Sequence, residues 1–186
     1  MNFYSDDIID NIIDNEPLDE IVDKIDKFYD DTEGTMYYYS YRTISTTYTG
    51  RLLHHKKTKV AFYCMDTEFS ITSCPSCLIY YKHFDKDTNV ISYYILMICT
   101  MHRFKKFGYA SMLINNFIER VKTENEKYPD RSMKIVVSSL DTAVTYYEQY
   151  GFRWTKKGLL EYPVLLEFEY YEEGKEYFIL ELEIKK

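Results

Sequence analysis

The stretch from Ile95 to Val121 constrains the fold of this 186-residue chain more than any other. Its first four residues are apolar and run into a basic loop that closes on Gly108. Apolar residues then recur at helical spacing from Ala110 onwards, which predicts a buried strand, a tight turn and the start of a helix. The first turn of a helix has unpaired N–H groups and the positive end of the helix dipole, so this junction suits an anion.

Strand patterns on both sides of this stretch predict a mixed sheet. Leu78 to Phe84 and Val90 to Thr100 flank the polar loop Asp85 to Asn89, which indicates an antiparallel hairpin. Met133 to Ser138 has the β-branched composition of an interior strand. Because a helix separates it from Val90 to Thr100, we expect these two strands to be parallel neighbours in a right-handed crossover. The predicted fold class is α+β, a mixed and mostly antiparallel sheet with one parallel strand pair and flanking helices.

The remaining segments complete this picture. A polar connection is expected from Thr123 to Ser132, and a short helix from Asp141 to Tyr150 that Gly151 ends. The other expected elements are two acidic helices within residues 1–34, strands at Met36 to Thr49 and Val60 to Met65, and a C-terminal hairpin over 165–185 made of Leu165 to Tyr171 and Glu176 to Ile184.

Charge is distributed unevenly along the chain. Residues 1–34 hold 12 Asp and Glu against Lys24 and Lys27, a balance of −10 that leaves +3 for the other 152 residues of a chain with net charge −7. An acidic segment argues against nucleic acid as a partner, since phosphate contacts need Lys and Arg. No apolar run approaches the roughly 20 residues that span a bilayer, so we expect no membrane contact and a cytoplasmic, intracellular location.

Cysteine usage gives a further expectation. In a chain without secretory features, Cys64, Cys74, Cys77 and Cys99 are expected to be free thiols. Cys74 and Cys77 have the spacing of half a zinc site, but no second pair follows, so no metal is expected.

The loop Lys105-Lys106-Phe107-Gly108-Tyr109-Ala110 resembles the pyrophosphate-binding motif of the GNAT superfamily of acetyl-CoA-dependent N-acetyltransferases. That motif is Arg/Gln-x-x-Gly-x-Gly/Ala, placed between a strand and a helix. Lys105 stands where the family has Arg or Gln, and His102 where Pro is common. Lys keeps the charge but lacks the planar fork of donors, so the backbone N–H groups matter more. The glycine patterns of Rossmann and P-loop proteins are absent.

A second motif supports the same resemblance. The run from Ala143 to Phe152, AVTYYEQYGF, is similar to the family's Ala-x-x-aromatic/Leu-Tyr-Glu-x-x-Gly-Phe signature and also follows a short strand. Leu140 departs from the Asn that many members have at this position. The two motifs occur in the family's order, and the resemblance covers about residues 78–155. It implies one acetyltransferase domain over 1–186 with its cofactor-binding core at 78–155.

The resemblance also implies roles for individual residues. Acetyl-CoA would be the co-substrate, with its pyrophosphate on residues 105–110 and its pantetheine arm on the backbone of Ile98 and Thr100. Tyr147 would give a proton to the departing thiolate, a task that suits a phenol hydroxyl. No general base is identified. His83, His102, Asp141 and Glu68 are candidates, and a water-relayed or absent base is an equal alternative.

Two functions of different classes follow. The first is an N-acetyltransferase in which a primary amine attacks acetyl-CoA directly in a ternary complex. The acceptor would be a small-molecule amine, an amino sugar, or a protein lysine or N-terminus. The alternative is a non-catalytic acyl-CoA-binding or scaffolding domain with the same fold. The acidic segment suits a lysine-bearing acceptor if it faces the cleft. The sequence leaves the oligomeric state open, a homodimer included.

Overall fold

The computed structural model describes residues 2–4, 46–53, 55–65, 74–169 and 176–185. The helices predicted within residues 1–34 lie outside these ranges. The described helices are α1 (Thr46–Leu53), α2 (Tyr109–Lys127), α3 (Val144–Glu148) and α4 (Pro163–Leu166). The described strands are β1 (Asn2–Tyr4), β2 (Thr58–Cys64), β3 (Ser76–Asp85), β4 (Val90–Thr100), β5 (Ser132–Ser139), β6 (Arg153–Trp154) and β7 (Phe178–Ile184).

The strands follow the order β1-β2-β3-β4-β5-β7-β6 in a mixed sheet. The pairs β1–β2, β5–β7 and β6–β7 are antiparallel, whereas β4 and β5 are parallel. Helix α2 lies between β4 and β5 in the chain and provides the crossover that a parallel pair requires. The predicted fold class is therefore confirmed, including its single parallel pair among the described strands.

The chain divides into two compact units. The first consists of residues 1–79 and 97–116, and the second of residues 80–96 and 117–186. The prediction that residues 1–186 form a single domain stays a prediction. Strands β3 and β4 and helix α2 each contribute one part to each unit.

The first unit has a core of side chains from α1, β2 and the ends of β3 and β4. Leu52, Ala61 and Leu78 have no exposed surface. The hydroxyl of Thr49, itself 1% exposed, donates to Met97 Sδ at 3.5 Å and so ties α1 to the end of β4. The strand predicted over Met36 to Thr49 is therefore wrong for residues 46–49, which are helical. These tertiary contacts outweigh the β-propensity of the threonines.

The second unit buries both faces of its sheet. On one face, the ring of Phe117 from α2 lies 4.9 Å from Tyr80 and 5.9 Å from Tyr93, measured between ring centroids. On the other face, Tyr81 lies 5.3 Å from Phe168. Because successive strand residues point to opposite faces, the Tyr80-Tyr81 step supplies one ring to each layer.

The C-terminal region differs from its prediction. The hairpin strand expected from Leu165 is wrong for residues 165–169, because α4 starts at Pro163 and a turn follows it. Leu165 and Phe168 are both buried, and their spacing of three residues suits a helical turn. The alternation of apolar and polar residues in this segment instead predicts a strand. Strand β7 pairs with β5 and β6 instead.

Two further differences concern element ends. Helix α2 continues to Lys127, beyond the polar connection expected from Thr123, because Val121 and Asn125 are buried and Asn125 Nδ2 donates to Ile184 O at 3.4 Å. An opening strand, which the sequence does not reveal, is present as β1.

The cysteines also differ from expectation. Cys74 is disulfide-bonded, so the prediction of free thiols is wrong for it. Spacing along the chain does not show which thiols a fold brings together. Cys77 and Cys99 are buried thiols that form no disulfide. Their Sγ atoms are 3.6 Å apart, and burial raises the pKa of the Cys77 thiol.

Two absences hold for the residues that the structure describes. None of the helices combines the length and apolar character needed to cross a bilayer. Over the same residues, no group of three or more His, Cys, Asp and Glu side chains is placed to hold a metal ion.

Candidate functional site

The end of β4 extends beyond its pairing with β5. The parallel register runs from Val90–Ser132 to Ile95–Val137, whereas β4 itself continues to Thr100. Ile98 and Thr100, the two residues predicted to contact a pantetheine arm, lie in this extension and are half-buried. Their spacing of two residues directs their backbone groups to the same edge of the strand.

Residues just before β3 and at its start hold the end of β4 in place. Thr100 Oγ1 and Ser76 Oγ are 2.6 Å apart, and the N–H of Met101 donates to Pro75 O at 2.9 Å. The Thr100 hydroxyl is thus engaged with Ser76, which leaves only its backbone for the role that the sequence predicts.

The basic loop has the backbone shape of an anion-binding site. A 3-10 turn at His102–Phe104 precedes it, and the N–H of Lys105 donates to His102 O at 3.2 Å. Lys106 and Gly108 then have positive φ values of 72° and 82°. A Cβ at Gly108 would have no atom within 4 Å, so glycine is favoured there by conformation and not by space. The N–H of Met112 donates to Gly108 O, which places the start of α2 at Gly108.

The charges of this loop project into solvent. Lys105 and Lys106 are exposed, and no acidic side chain among the described residues forms an ion pair with either. Phe107 is 66% exposed. Arg103 is also exposed, with its guanidinium 4.7 Å from the centre of the Phe104 ring. The loop therefore combines cations with the N–H groups of a helix start.

Aromatic rings fix the first turn of α2. The ring of Tyr109 lies 5.4 Å from Tyr63, 5.9 Å from Phe104 and 6.2 Å from Phe107. Burial raises the pKa of Tyr63, with a smaller contribution from Tyr109. Sequence reasoning predicted Tyr109 and Phe107 as loop residues but did not predict that these four rings pack together.

Tyr147 lies in the second unit, on α3, and is 7% exposed. Its ring is 5.7 Å from that of Phe152, and burial, followed by Tyr150, raises the pKa of Tyr147 to about 12. The hydroxyl is therefore protonated at neutral pH, as a proton donor must be. Gly151, which ends this segment, has φ +92° and would bring a Cβ to 3.4 Å from Leu182 Cδ1.

The second unit also contains an acidic residue that the sequence analysis did not select. Glu169 is half-buried, and its Oε2 accepts a hydrogen bond from Ser138 Oγ at 3.0 Å. Burial raises the pKa of Glu169 to about 7, although the Ser138 hydrogen bond opposes the shift. Glu169 lies in an acidic run, and the alternation that predicts a strand there does not distinguish it from its acidic neighbours.

The base candidates named from the sequence have different environments. His102 and Asp141 are exposed, and His83 is half-buried with its Nδ1 3.5 Å from the Tyr81 hydroxyl. Glu68 lies outside the described residues. The structure therefore places Ile98, Thr100 and residues 105–110 along one continuous segment of the first unit, and Tyr147 in the second.

Comparison with known proteins shows what this chain is similar to. Residues 80–161 match a family model described as an acetyltransferase (GNAT) domain. No curated protein sequence matches the chain.

Solved structures share the fold at low sequence identity. An acetyltransferase from Desulfovibrio desulfuricans that is assigned to the GNAT family is 13% identical, with a TM-score of 0.55, over 84% of this chain and 92% of that one. Tetrahymena GCN5 is 12% identical, with a TM-score of 0.54, over 86% and 88%. A chain of the NatC complex bound to Gag peptide and CoA is 18% identical, with a TM-score of 0.50, over 76% and 81%.

Proposed function

We propose that this member of the GNAT superfamily is an N-acetyltransferase that moves an acetyl group from acetyl-CoA to a primary amine by direct attack in a ternary complex. The observation that carries the proposal is the junction of β4 with α2. Positive φ values at Lys106 and Gly108, a helix start and two solvent-directed lysines occur together there. A diphosphate is the anion that this combination suits.

The residues present fit the other parts of acetyl-CoA. Ile98 and Thr100 would offer backbone hydrogen bonds to the amides of the pantetheine arm, because the register of β4 with β5 ends at Ile95. A β4 N–H directed at the thioester oxygen would stabilise the oxyanion that develops when the amine attacks. The loop from Lys105 to Ala110 would hold the pyrophosphate.

Tyr147 would act on the leaving group. A hydroxyl with a pKa of about 12 stays protonated over the physiological range. A thiol has a reference pKa of about 8.5, so full transfer from this phenol is unfavourable unless burial also raises the pKa of the thiolate. The hydrogen bond itself stabilises the thiolate before the proton moves. A group in this role contributes about 10²-fold or more to the rate.

The first test is calorimetry of acetyl-CoA binding, followed by thiol release with a panel of primary amines: spermidine, glucosamine, a lysine-containing peptide and a peptide with a free N-terminus. We expect heat of binding, thiol release with at least one amine, and a Tyr147→Phe variant with normal acetyl-CoA affinity and lowered kcat. An absence of acetyl-CoA binding would contradict the proposal. Binding without thiol release would favour a non-catalytic domain.

A further inference from the structure

The carboxyl group of Glu169 lies beside the carboxyl end of β5. The last residue of β5 in register with β4 is Val137, paired with Ile95. Ser138 is the next residue along β5, and its hydroxyl donates to Glu169 Oε2 at 3.0 Å. Glu169 is therefore anchored one residue beyond the point where the parallel pair ends.

The backbone around Glu169 is held firmly. Its N–H donates to Leu165 O at 2.8 Å, which continues the turn at the end of α4. The preceding residue, Phe168, is 1% exposed, and its ring lies 5.3 Å from that of Tyr81. The buried neighbour and the helical hydrogen bond fix the backbone of Glu169, and the hydrogen bond from Ser138 then orients the carboxyl, as a group needs in order to meet a reacting atom.

The charged neighbours on this face of the sheet distinguish Glu169 from a structural carboxylate. Glu181 of β7 pairs with Lys134 of β5 at 2.6 Å and also accepts from the Tyr162 hydroxyl at 3.1 Å. Glu169 has no cation within ion-pair distance among the described residues, and its partner there is the neutral hydroxyl of Ser138. The other titratable groups of this face include Tyr94 on β4, Tyr81, His83 and Asp85 on β3, and Glu183 on β7. Half-burial without a counter-charge is an arrangement that stability alone does not favour.

We propose that Glu169 is the general base of acetyl transfer, an inference that rests on the proposed function above. Glu169 accepts one proton from the acceptor's ammonium group and passes it to solvent, and the neutral nitrogen then attacks the thioester carbon. The C–N bond forms first and gives a tetrahedral adduct, whose collapse breaks the C–S bond. The adduct loses its second N–H proton to solvent, while the departing thiolate takes a proton from Tyr147, which regains one from solvent. Ser138 positions the carboxylate.

The environment of Glu169 suits this task. A base is most effective when its pKa is close to the working pH, since it is then both deprotonated and sufficiently basic. The half-buried position brings the pKa of Glu169 to about 7. Asp141, an exposed carboxylate, is not held in such an environment.

The test compares Glu169→Gln with Glu167→Gln, an exposed residue of the same turn, using whichever amine of the panel above is acetylated fastest. We expect Glu169→Gln to lower kcat/KM by about 10²-fold or more at neutral pH with unchanged acetyl-CoA affinity. The difference in kcat/KM between this variant and wild type should shrink towards about pH 10, where a large fraction of an alkylamine is already neutral and needs no base. Glu167→Gln should behave as wild type.

Ser138→Ala provides an independent variant if Glu169→Gln does not fold. It keeps the carboxyl and removes one hydrogen bond, so we expect a loss of about fivefold in kcat that the conservative Ser138→Thr variant restores. A Glu169→Gln variant within threefold of wild type at neutral pH would overturn the assignment of the base, while acetyl-CoA binding and the Tyr147→Phe effect would leave the proposed function intact. If wild type acetylated no amine of the panel, both proposals would be contradicted.

Discussion

Two regions of the molecule differ in how far their polar groups are exposed to water. They are the loop from Lys105 to Ala110 and the pair Tyr147 and Glu169. The loop keeps its lysines in solvent and offers backbone N–H groups at a helix start. The other two side chains are buried or half-buried, and burial shifts both of their pKa values upwards. Holding an anion requires donors that the ligand can reach. Proton transfer near neutral pH requires side chains taken partly out of water.

The largest expected effect is a change in the free energy of unfolding, which should differ between alanine variants of the two regions. Phe152 has no exposed surface and packs against Tyr147, so Phe152→Ala should lower the free energy of unfolding by about 3–5 kcal/mol. Urea unfolding measures the change. Phe107→Ala is the matched control, because Phe107 is 66% exposed and its loss should change stability by about 0.5 kcal/mol or less. Equal losses in both variants would remove the contrast between the two regions.

The next effect concerns Glu169 and pH. The folded chain keeps a proton on Glu169 up to a pKa of about 7, whereas the unfolded chain loses it near 4.5. The protonated carboxyl therefore contributes its stability fully below pH 4.5, and this contribution is lost as the pH rises through 7. Glu169→Gln removes the buried charge and should raise the free energy of unfolding by about 1–3 kcal/mol at about pH 8.

Thermal unfolding at several pH values checks this prediction, with Glu167→Gln as the variant that should show no such trend. The gain should disappear below about pH 4.5, where the Glu169 carboxyl is protonated in both the folded and the unfolded chain. A stability gain accompanied by lost turnover is typical of a functional carboxylate. A variant less stable than wild type at about pH 8 would indicate instead that the carboxylate stabilises the fold.

A smaller effect tests the conformation of the loop. Gly108→Ala puts a Cβ at φ +82° in open space, so we expect only backbone strain of about 1–2 kcal/mol, together with weaker acetyl-CoA binding. Gly158→Ala is the matched control, since Gly158 also has open space but a φ of −85°. Chemical denaturation and calorimetry measure the two quantities. A Gly108→Ala variant with unchanged stability and acetyl-CoA affinity would show that the loop has an accessible alternative conformation.

The smallest effect concerns Lys105, which stands where the loop motif has Arg or Gln. Lys105→Arg restores the planar fork of donors, so acetyl-CoA affinity should rise by a few-fold, whereas Lys105→Ala should lower it by about fivefold. Both changes in acetyl-CoA affinity should become smaller with added salt, because Lys105 is exposed. Neither substitution should alter the free energy of unfolding by more than about 0.5 kcal/mol. Salt-independent binding would argue against a phosphate contact at Lys105.

Sequence patterns predicted the elements whose signals are local. The hairpin of β3 and β4, the start of α2, and β5 as the parallel neighbour of β4 were all expected, and the structure confirms them. The predictions failed where distant contacts decide. Thr46 to Thr49 became helical while Thr49 contacts Met97, and Leu165 joined a helix that starts at Pro163. The disulfide at Cys74 had no local signal either.

The features of the candidate site also separate into those with local sequence signals and those that depend on distant contacts. By itself, the sequence determined that a strand, a basic loop and a helix start occur in one place, and that a tyrosine follows at the family's spacing. Such features depend on residues close in the chain, which periodicity and motif order record. The tertiary structure alone decided that Tyr147 is buried and that Glu169 meets Ser138 across 31 residues of chain. Burial depends on residues remote in sequence, so the pKa values that suit proton transfer arise only in the folded chain.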